Sequence, residues 1–206
     1  MEVYTRPYDA KRPQVCLDEG SKEVVTEKRE PLPMEPGQPQ RIDYEYDPNG
    51  CVNVFVACEP LAGKRVMQVR QRRTKVDWAH FVRDLIEVHY PDAEQIVLVM
   101  DNLNTHSPAS FYEAFEPEVA RRLTQKLEIH YTPTHGSWLN MAEIELSVLG
   151  RQVLRGRIAT MQEMQERVQA WQQARNRKQA GIQWRFTTPD ARIKLKHLYP
   201  KLSNQV

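Results

Sequence analysis

The sequence predicts an α/β domain, a mixed sheet of about five strands flanked by helices with a C-terminal helical extension. Three observations carry this expectation. Short runs rich in Val, Ile and Phe alternate with segments of helical periodicity. The run Ile96–Met100 is apolar at every position, as a strand covered on both faces requires. Acidic residues follow two of the expected strands, at Asp18 and Asp101.

Taken in order, residues 14–17 form a short apolar run bounded by Pro13 and ending on Asp18, the first strand. Residues 20–50 are polar and carry Pro31, Pro33, Pro36 and Pro39, which predicts an irregular excursion or loose hairpin without a helix, closed by a Pro48-Asn49-Gly50 turn. Residues 51–58 and 64–69 then read as a hairpin around a turn at 59–63. Thr74 is placed to N-cap a helix in which Trp78, Phe81, Val82, Leu85, Ile86 and His89 share a face until Pro91 stops it.

Strand Ile96–Met100 runs into Asp101, and Ser107-Pro108 opens a helix through Phe115 as N-cap and N1. Pro117 opens another toward Lys126, and Leu127, Ile129 and Tyr131 alternate as the next strand. After a turn at 133–137, Ala142, Leu146, Leu149 and Val153 make one apolar stripe of a helix that also carries Glu143 and Glu145. The remainder reads as a helix over 160–178 with a Thr160/Glu163 capping box, a short strand at 183–186 and a helix opened by Thr188-Pro189. Met164, Val168 and Trp171 line the long helix as packing residues. The expected organisation is one domain over 1–158 and an extension over 159–206 packed upon it.

The length of 206 residues suits one large domain or one with an appendage. No apolar run reaches the roughly 18 residues that cross a bilayer, and no signal-peptide core is present, so a soluble cytoplasmic protein without a membrane partner is expected. Cys16, Cys51 and Cys58 are odd in number and lack CxxC spacing, which predicts reduced thiols rather than a disulfide framework or thiolate zinc site. A net charge of +2 does not by itself indicate nucleic acid, since phosphate affinity follows local clusters. Arg70, Arg72, Arg73 and Lys75 form one such cluster, placed to follow a DNA backbone or to be solvated surface; Arg151, Arg155 and Arg157, then Arg175, Arg177 and Lys178, populate helix ends.

If the first and fourth strands are neighbours, Asp18 and Asp101 meet at one edge of the sheet, where a crossing helix supplies a third acid. Periodicity leaves that third acid open between Glu143 and Glu145. At the first strand Glu19 competes with Asp18, and because side chains alternate only one of them faces the site. Three convergent carboxylates repel one another and so either raise a pKa or bind hard cations. Two Mg²⁺ ions about 3.5–4 Å apart would activate a water or 3′-hydroxyl and stabilise the leaving oxygen of an in-line displacement.

The stretches CLDEG, LVMDNLNTH and HYTPTHGSWLNMAEIELSVL resemble the three acidic blocks of bacterial insertion-sequence transposases of the mariner superfamily, and the similarity runs from about Tyr8 to Pro200, with the PLAG turn and the FTTPDARIKLKHLYP ending. The resemblance implies an RNase H-like fold and a DDE endonuclease domain for magnesium-dependent transposition and DNA recombination. Asp18, Asp101 and Glu143 would be the catalytic, metal-holding acids, with two Mg²⁺ ions replaceable by Mn²⁺. Glu143 holds the acid position of a Leu-Asn-x-x-Glu block, with Glu145 in reserve.

In the second block Asn102, Asn104 and His106 are expected to support Asp101 or contact DNA, or else to shape the turn and cap the next helix. His135 and Trp138 precede the third acid in the same sense, and Trp138 either stacks on an exposed base or packs in the core. The resemblance further implies transposon ends and target DNA as partners, a synaptic homodimer, insertion at TA and nucleoid association in a bacterial cytoplasm. Full-length members carry N-terminal helix-turn-helix domains for end recognition, and nothing upstream of Tyr8 is expected to encode one. An inactive or truncated remnant that binds DNA or dimerises without catalysis is the alternative.

Overall fold

The computed structural model describes residues 2–41, 43–134, 136–194 and 196. Its five strands, β1 (Gln14–Glu27), β2 (Tyr46–Glu59), β3 (Lys64–Arg70), β4 (Ile96–Met100) and β5 (Leu127–Tyr131), form one sheet in the order β3-β2-β1-β4-β5. The first three pair antiparallel, whereas β4 and β5 join parallel to β1. Parallel neighbours need crossovers, and helices supply them. α1 (Lys75–Asp84) leads from β3 to β4, and α2 (Ala109–Ala114) with α3 (Pro117–Gln125) leads from β4 to β5. The expected mixed sheet flanked by helices is therefore the observed one.

Strand alternation divides the core between the two faces of the sheet. Val15, Leu17, Phe55, Ala57, Ile96, Leu98 and Met100 pack with Trp78, Phe81 and Phe111 of α1 and α2. On the other face, Cys16, Cys58, Val97 and Val99 meet Met141 and Ala142 at the start of α4 (Ala142–Gln152). Further along that face Val54 and Val56 meet Leu149 and the Met164, Val168 and Trp171 stripe of α5 (Met161–Arg177). The stripe is core packing, as its spacing indicated.

Local signals set most boundaries. Thr74 caps α1 through a reciprocal box with Asp77, and the helix continues as a π-turn, Leu85–His89, closed by Tyr90 N–H on the Leu85 carbonyl at 2.9 Å. At α2 the N-cap is Pro108, one residue later than expected, though Ser107 Oγ still accepts from Ala109 N–H at 3.3 Å. Thr160 Oγ1 accepts from Glu163 N–H at 3.1 Å, but the Glu163 carboxylate takes the Ala159 N–H instead of completing a box on Thr160.

Two strand expectations also fail. β1 does not end at Asp18; it runs to Glu27 against β2, which begins at Tyr46, so Pro48-Asn49-Gly50 lies within a strand instead of forming a turn. The register shifts between Glu23 and Val25, where β2 holds one extra residue and Gly50 takes φ +90°. A bulge is where a sheet tolerates a proline without an N–H and a glycine in the left-handed region. The excursion proper is 28–45, held by isolated bridges Leu32↔Arg41 and Glu35↔Gln38.

The short strand expected at 183–186 is also absent. No edge is open to it beside β3. Asn176 bonds both the N–H and the carbonyl of Arg65, and Gln172 takes the Met67 N–H at 2.6 Å, so α5 caps that edge. Trp184 instead packs against Tyr4 and Phe186, and Phe186 against Trp138. α6 (Thr188–Lys194) follows as expected. No helix among the described residues is long and apolar enough to cross a membrane.

Candidate active site

The parallel pairing of β1 and β4 sets Cys16 opposite Val99, and the same register continued by two residues puts Asp18 level with Asp101. Because Cys16 and Val99 face α4, Asp18 faces that side as well; Asp101 follows the last residue of β4, and its Oδ1 lies toward His106. Asp18 is buried at 8 % exposure. Glu19 N–H donates to its Oδ1 at 2.8 Å, and Asn140 Nδ2 reaches its Oδ2 at 3.3 Å.

Asn140 is fully buried and was not singled out by sequence reasoning, although it lies in the Leu139–Glu143 block. Its Nδ2 also donates to the Leu17 carbonyl at 2.8 Å, and its Oδ1 accepts from Ala142 N–H at 3.1 Å. It thereby ties the first acid's strand to the first turn of α4, which has no side-chain cap on Met141.

Glu143 stands in that first turn, half-buried, and lines an open groove of about 360 Å³ with Ser137, Trp138, Ile144, Ser147 and Arg151. Its charge reaches Asp18. Burial pushes the Asp18 carboxyl up, the Glu19 N–H opposes this, and the negative charges of Glu143, Asp101 and Glu19 add to the rise, giving about 7. An isolated carboxylate pushed this far by burial and like charge favours either a proton or a cation.

Glu19, the competing acid, points to the opposite side of β1 and holds His106, its Oε1 lying 2.8 Å from His106 Nε2. On the ring's other side, His106 Nδ1 lies 2.6 Å from Asp101 Oδ1 and 3.4 Å from the Asp101 carbonyl oxygen. The imidazole is 1 % exposed and stacks on Trp78 with centroids 6.0 Å apart. Burial alone would depress its pKa, but the bonds to Asp101 and Glu19 outweigh that and raise it to about 10. The two carboxylates thus favour the protonated ring, and His106 in turn holds the Asp101 carboxyl below the usual range. The alternation that set Asp18 against Glu19 was the signal for Glu19; its histidine partner, 87 residues away, could not be read locally.

The remaining candidates divide. Asn102 and Asn104 are exposed, and neither side chain bonds Asp101 among the described residues. Tyr131 donates to the His106 carbonyl at 2.8 Å. His135 lies outside the described residues. Trp138 is 37 % exposed, edge-on to Phe186 and covered by Lys194 Nζ at 4.6 Å from its centroid, so it is a rim residue of the Glu143 groove rather than a core tryptophan.

The basic run is split: Arg70 turns to Gln68, Asp77 and Asp84, and Lys75 pairs with Glu113, leaving Arg72 and Arg73 exposed. Glu145, the reserve acid, is fully buried and gripped by Arg65 and Arg175, which removes it as a metal ligand.

As they stand, no three His, Cys, Asp or Glu side chains among the described residues are arranged to hold a metal ion. The donor chemistry nevertheless fits a hard divalent cation. Asp18, Asp101 and Glu143 offer oxygens alone, and a cation among them would relieve the like charge that adds to the rise burial gives the Asp18 pKa.

The DDE superfamily endonuclease family matches residues 13–165. Among solved structures, the Mos1 mariner paired end complex with Mn is similar at 16 % identity and TM-score 0.57, over 87 % of this chain and 53 % of that one. The Mos1 strand transfer complex matches at 16 % identity and TM-score 0.54, over 80 % and 48 %. A pre-cleavage Mos1 transpososome matches at 14 % identity and TM-score 0.54, over 87 % and 58 %. The chain thus spans about half the length of the Mos1 chains, and the likeness identifies the sheet and its helices as RNase H-like. No match was found among curated proteins.

Proposed function

The chain belongs to the DDE superfamily of endonucleases, and from that premise we propose that it is a transposase catalytic domain that cleaves phosphodiesters and transfers strands at transposon ends. Asp18, Asp101 and Glu143 are the acids that hold its divalent ions, two Mg²⁺ or, in substitution, Mn²⁺. What supports the reading is that Asp18 and Asp101 stand at neighbouring ends of adjacent parallel strands, with the charges of Glu143 and Asp101 both acting on the buried Asp18. The Mos1 mariner paired end complex with Mn supports the cation class, and the paired-end and strand-transfer complexes of Mos1 support DNA as the partner; transposon ends and target DNA held in a homodimeric synapse complete the proposal.

When bound, the ions supply Lewis acidity to the attacking and leaving oxygens of the displacement. The chain's own groups prepare for this. Asn140 and the Glu19 N–H orient the Asp18 carboxylate, while His106 fixes Asp101 from behind. Arg151, Trp138 and Ser147 line the groove beside Glu143, where a cation and an exposed ring suit a nucleotide backbone and its base. Arg72 and Arg73 provide sequence-independent phosphate contacts further out.

The test is nicking of supercoiled plasmid in Mn²⁺ by the wild-type chain and by Asp18→Asn, Asp101→Asn and Glu143→Gln. The wild type nicks only with divalent metal, and each substitution slows it at least ~100-fold with the fold retained. Nicking by Glu143→Gln at the wild-type rate removes Glu143 from the site.

A further inference from the structure

Behind the helix that carries Glu143 lies an ion cluster that takes no part in the site itself. Glu145 is 0 % exposed and accepts both forks of two arginines. Arg65 Nε and Nη2 lie 3.0 and 2.7 Å from its oxygens, and Arg175 Nε and Nη2 lie 3.2 and 2.9 Å away. Arg65 is itself 1 % exposed and donates two further N–H groups to the Gly63 and Ala180 carbonyls. The first of these arginines sits on β3 and the second on α5, so the cluster locks three elements at one point on α4.

Stability alone does not account for such a cluster. Charges taken from water repay their desolvation only when geometry is excellent, and well-packed apolar residues of the same volume do as well or better. What paired guanidinium forks supply is direction, because a planar fork on a carboxylate admits one orientation. Residues two apart on a helix lie about 200° apart around it. Clamping Glu145 on the buried side therefore fixes the rotation that presents Glu143 on the open side, where it lines the groove and charges against Asp18.

We propose that Arg65 and Arg175 are positioning residues, which act through Glu145 to aim Glu143 at the metal site. Asn140 anchors the start of α4 along its axis, and the arginine clamp sets its rotation. This rests on the reading of Glu143 as a metal ligand, and the experiment separates the two.

Mn²⁺ affinity is measured on the full chain from the electron paramagnetic resonance of the free ion, with urea unfolding as the check on fold. The variants are Arg65→Met/Glu145→Met, which removes buried charge but keeps volume, Arg175→Met, Arg65→Lys, and each of these combined with Glu143→Gln. Arg175 is 22 % exposed, so its replacement leaves a folded protein even if the buried pair does not tolerate exchange.

The proposal expects at least a ten-fold weaker Mn²⁺ affinity in the folded clamp variants, with Arg65→Lys intermediate. It further expects no additional loss when the clamp is removed from Glu143→Gln, because the clamp acts only through that side chain. Wild-type affinity in folded clamp variants overturns it, as does a loss that multiplies with that of Glu143→Gln. If Glu143→Gln alone binds Mn²⁺ like the wild type, Glu143 is not a ligand, and the reading beneath the proposal falls with it.

Discussion

Asn140 Nδ2 bonds the backbone of Leu17 at 2.8 Å and the carboxylate of Asp18 at 3.3 Å, so one buried amide spans the joint between the first acid's strand and the third acid's helix. Replacing it by alanine strands the Ala142 N–H, which its Oδ1 accepts at 3.1 Å, and frees the Asp18 carboxyl to rotate. Asn140→Ala should cost about 1–3 kcal/mol, the range for an orphaned buried polar partner. Urea unfolding checks this, and a loss below that range would reduce Asn140 to a filler of space.

His106 separates two carboxylates at 2.6 and 2.8 Å. His106→Ala leaves Asp101 and Glu19 facing each other with the imidazolium gone, and removing one partner of a buried ion pair costs about 3–5 kcal/mol. Saturating Mg²⁺ should recover part of that loss, because Asp101 freed of the histidine holds the cation more tightly than it does in the wild type. Thermal unfolding with and without Mg²⁺ measures both; equal losses in the two conditions would mean that His106 and the cation do not compete for Asp101.

Glu145→Gln leaves Arg65 and Arg175 without their carboxylate around a fully buried side chain. The expected loss is about 3–5 kcal/mol of stability, read by chemical denaturation, and a change under ~0.5 kcal/mol, the scale of a surface substitution, would refute the account of the cluster.

What could be read in advance and what could not follows from the range of the forces involved. β4, β5, α1 and α4 were legible because an apolar run or a helical stripe is a local pattern, and so was the position of Asp101 after β4 and of Glu143 and Glu145 on α4, whereas the choice between those two glutamates came from the resemblance. The second half of β1 and the first of β2 are polar, and their strand character comes from pairing with each other, which no local window contains. The same limit hid the role of Glu145, held by a residue 80 positions away, and that of Glu19. The 183–186 segment has strand-like residues but no free edge at β3, so tertiary contacts decided against its propensity.

At the far side of the sheet Glu128 bonds His130 at 2.8 Å and Arg6 at 2.7 Å and pairs with Arg12. The His130 and Arg6 bonds lead in holding its pKa at about 2, against an ordinary 4.5. A carboxylate depressed on folding contributes stability that is full above its unfolded value and lost as pH falls through its folded one. Glu128→Gln should therefore be less stable than the wild type at pH 7, with the two curves converging between pH 4.5 and about 2. Denaturation across that range decides it; parallel curves would show that the ion pairs do not contribute.

Anomalous diffraction from crystals of the chain soaked in Mn²⁺ decides whether Asp18, Asp101 and Glu143 hold the same divalent ions. Manganese is expected on oxygens of Asp18 and Asp101, with Glu143 completing the set and His106 still behind Asp101. Manganese held elsewhere, or held by Asp18 and Asp101 with Glu143 turned to solvent and another acid in its place, would contradict that expectation.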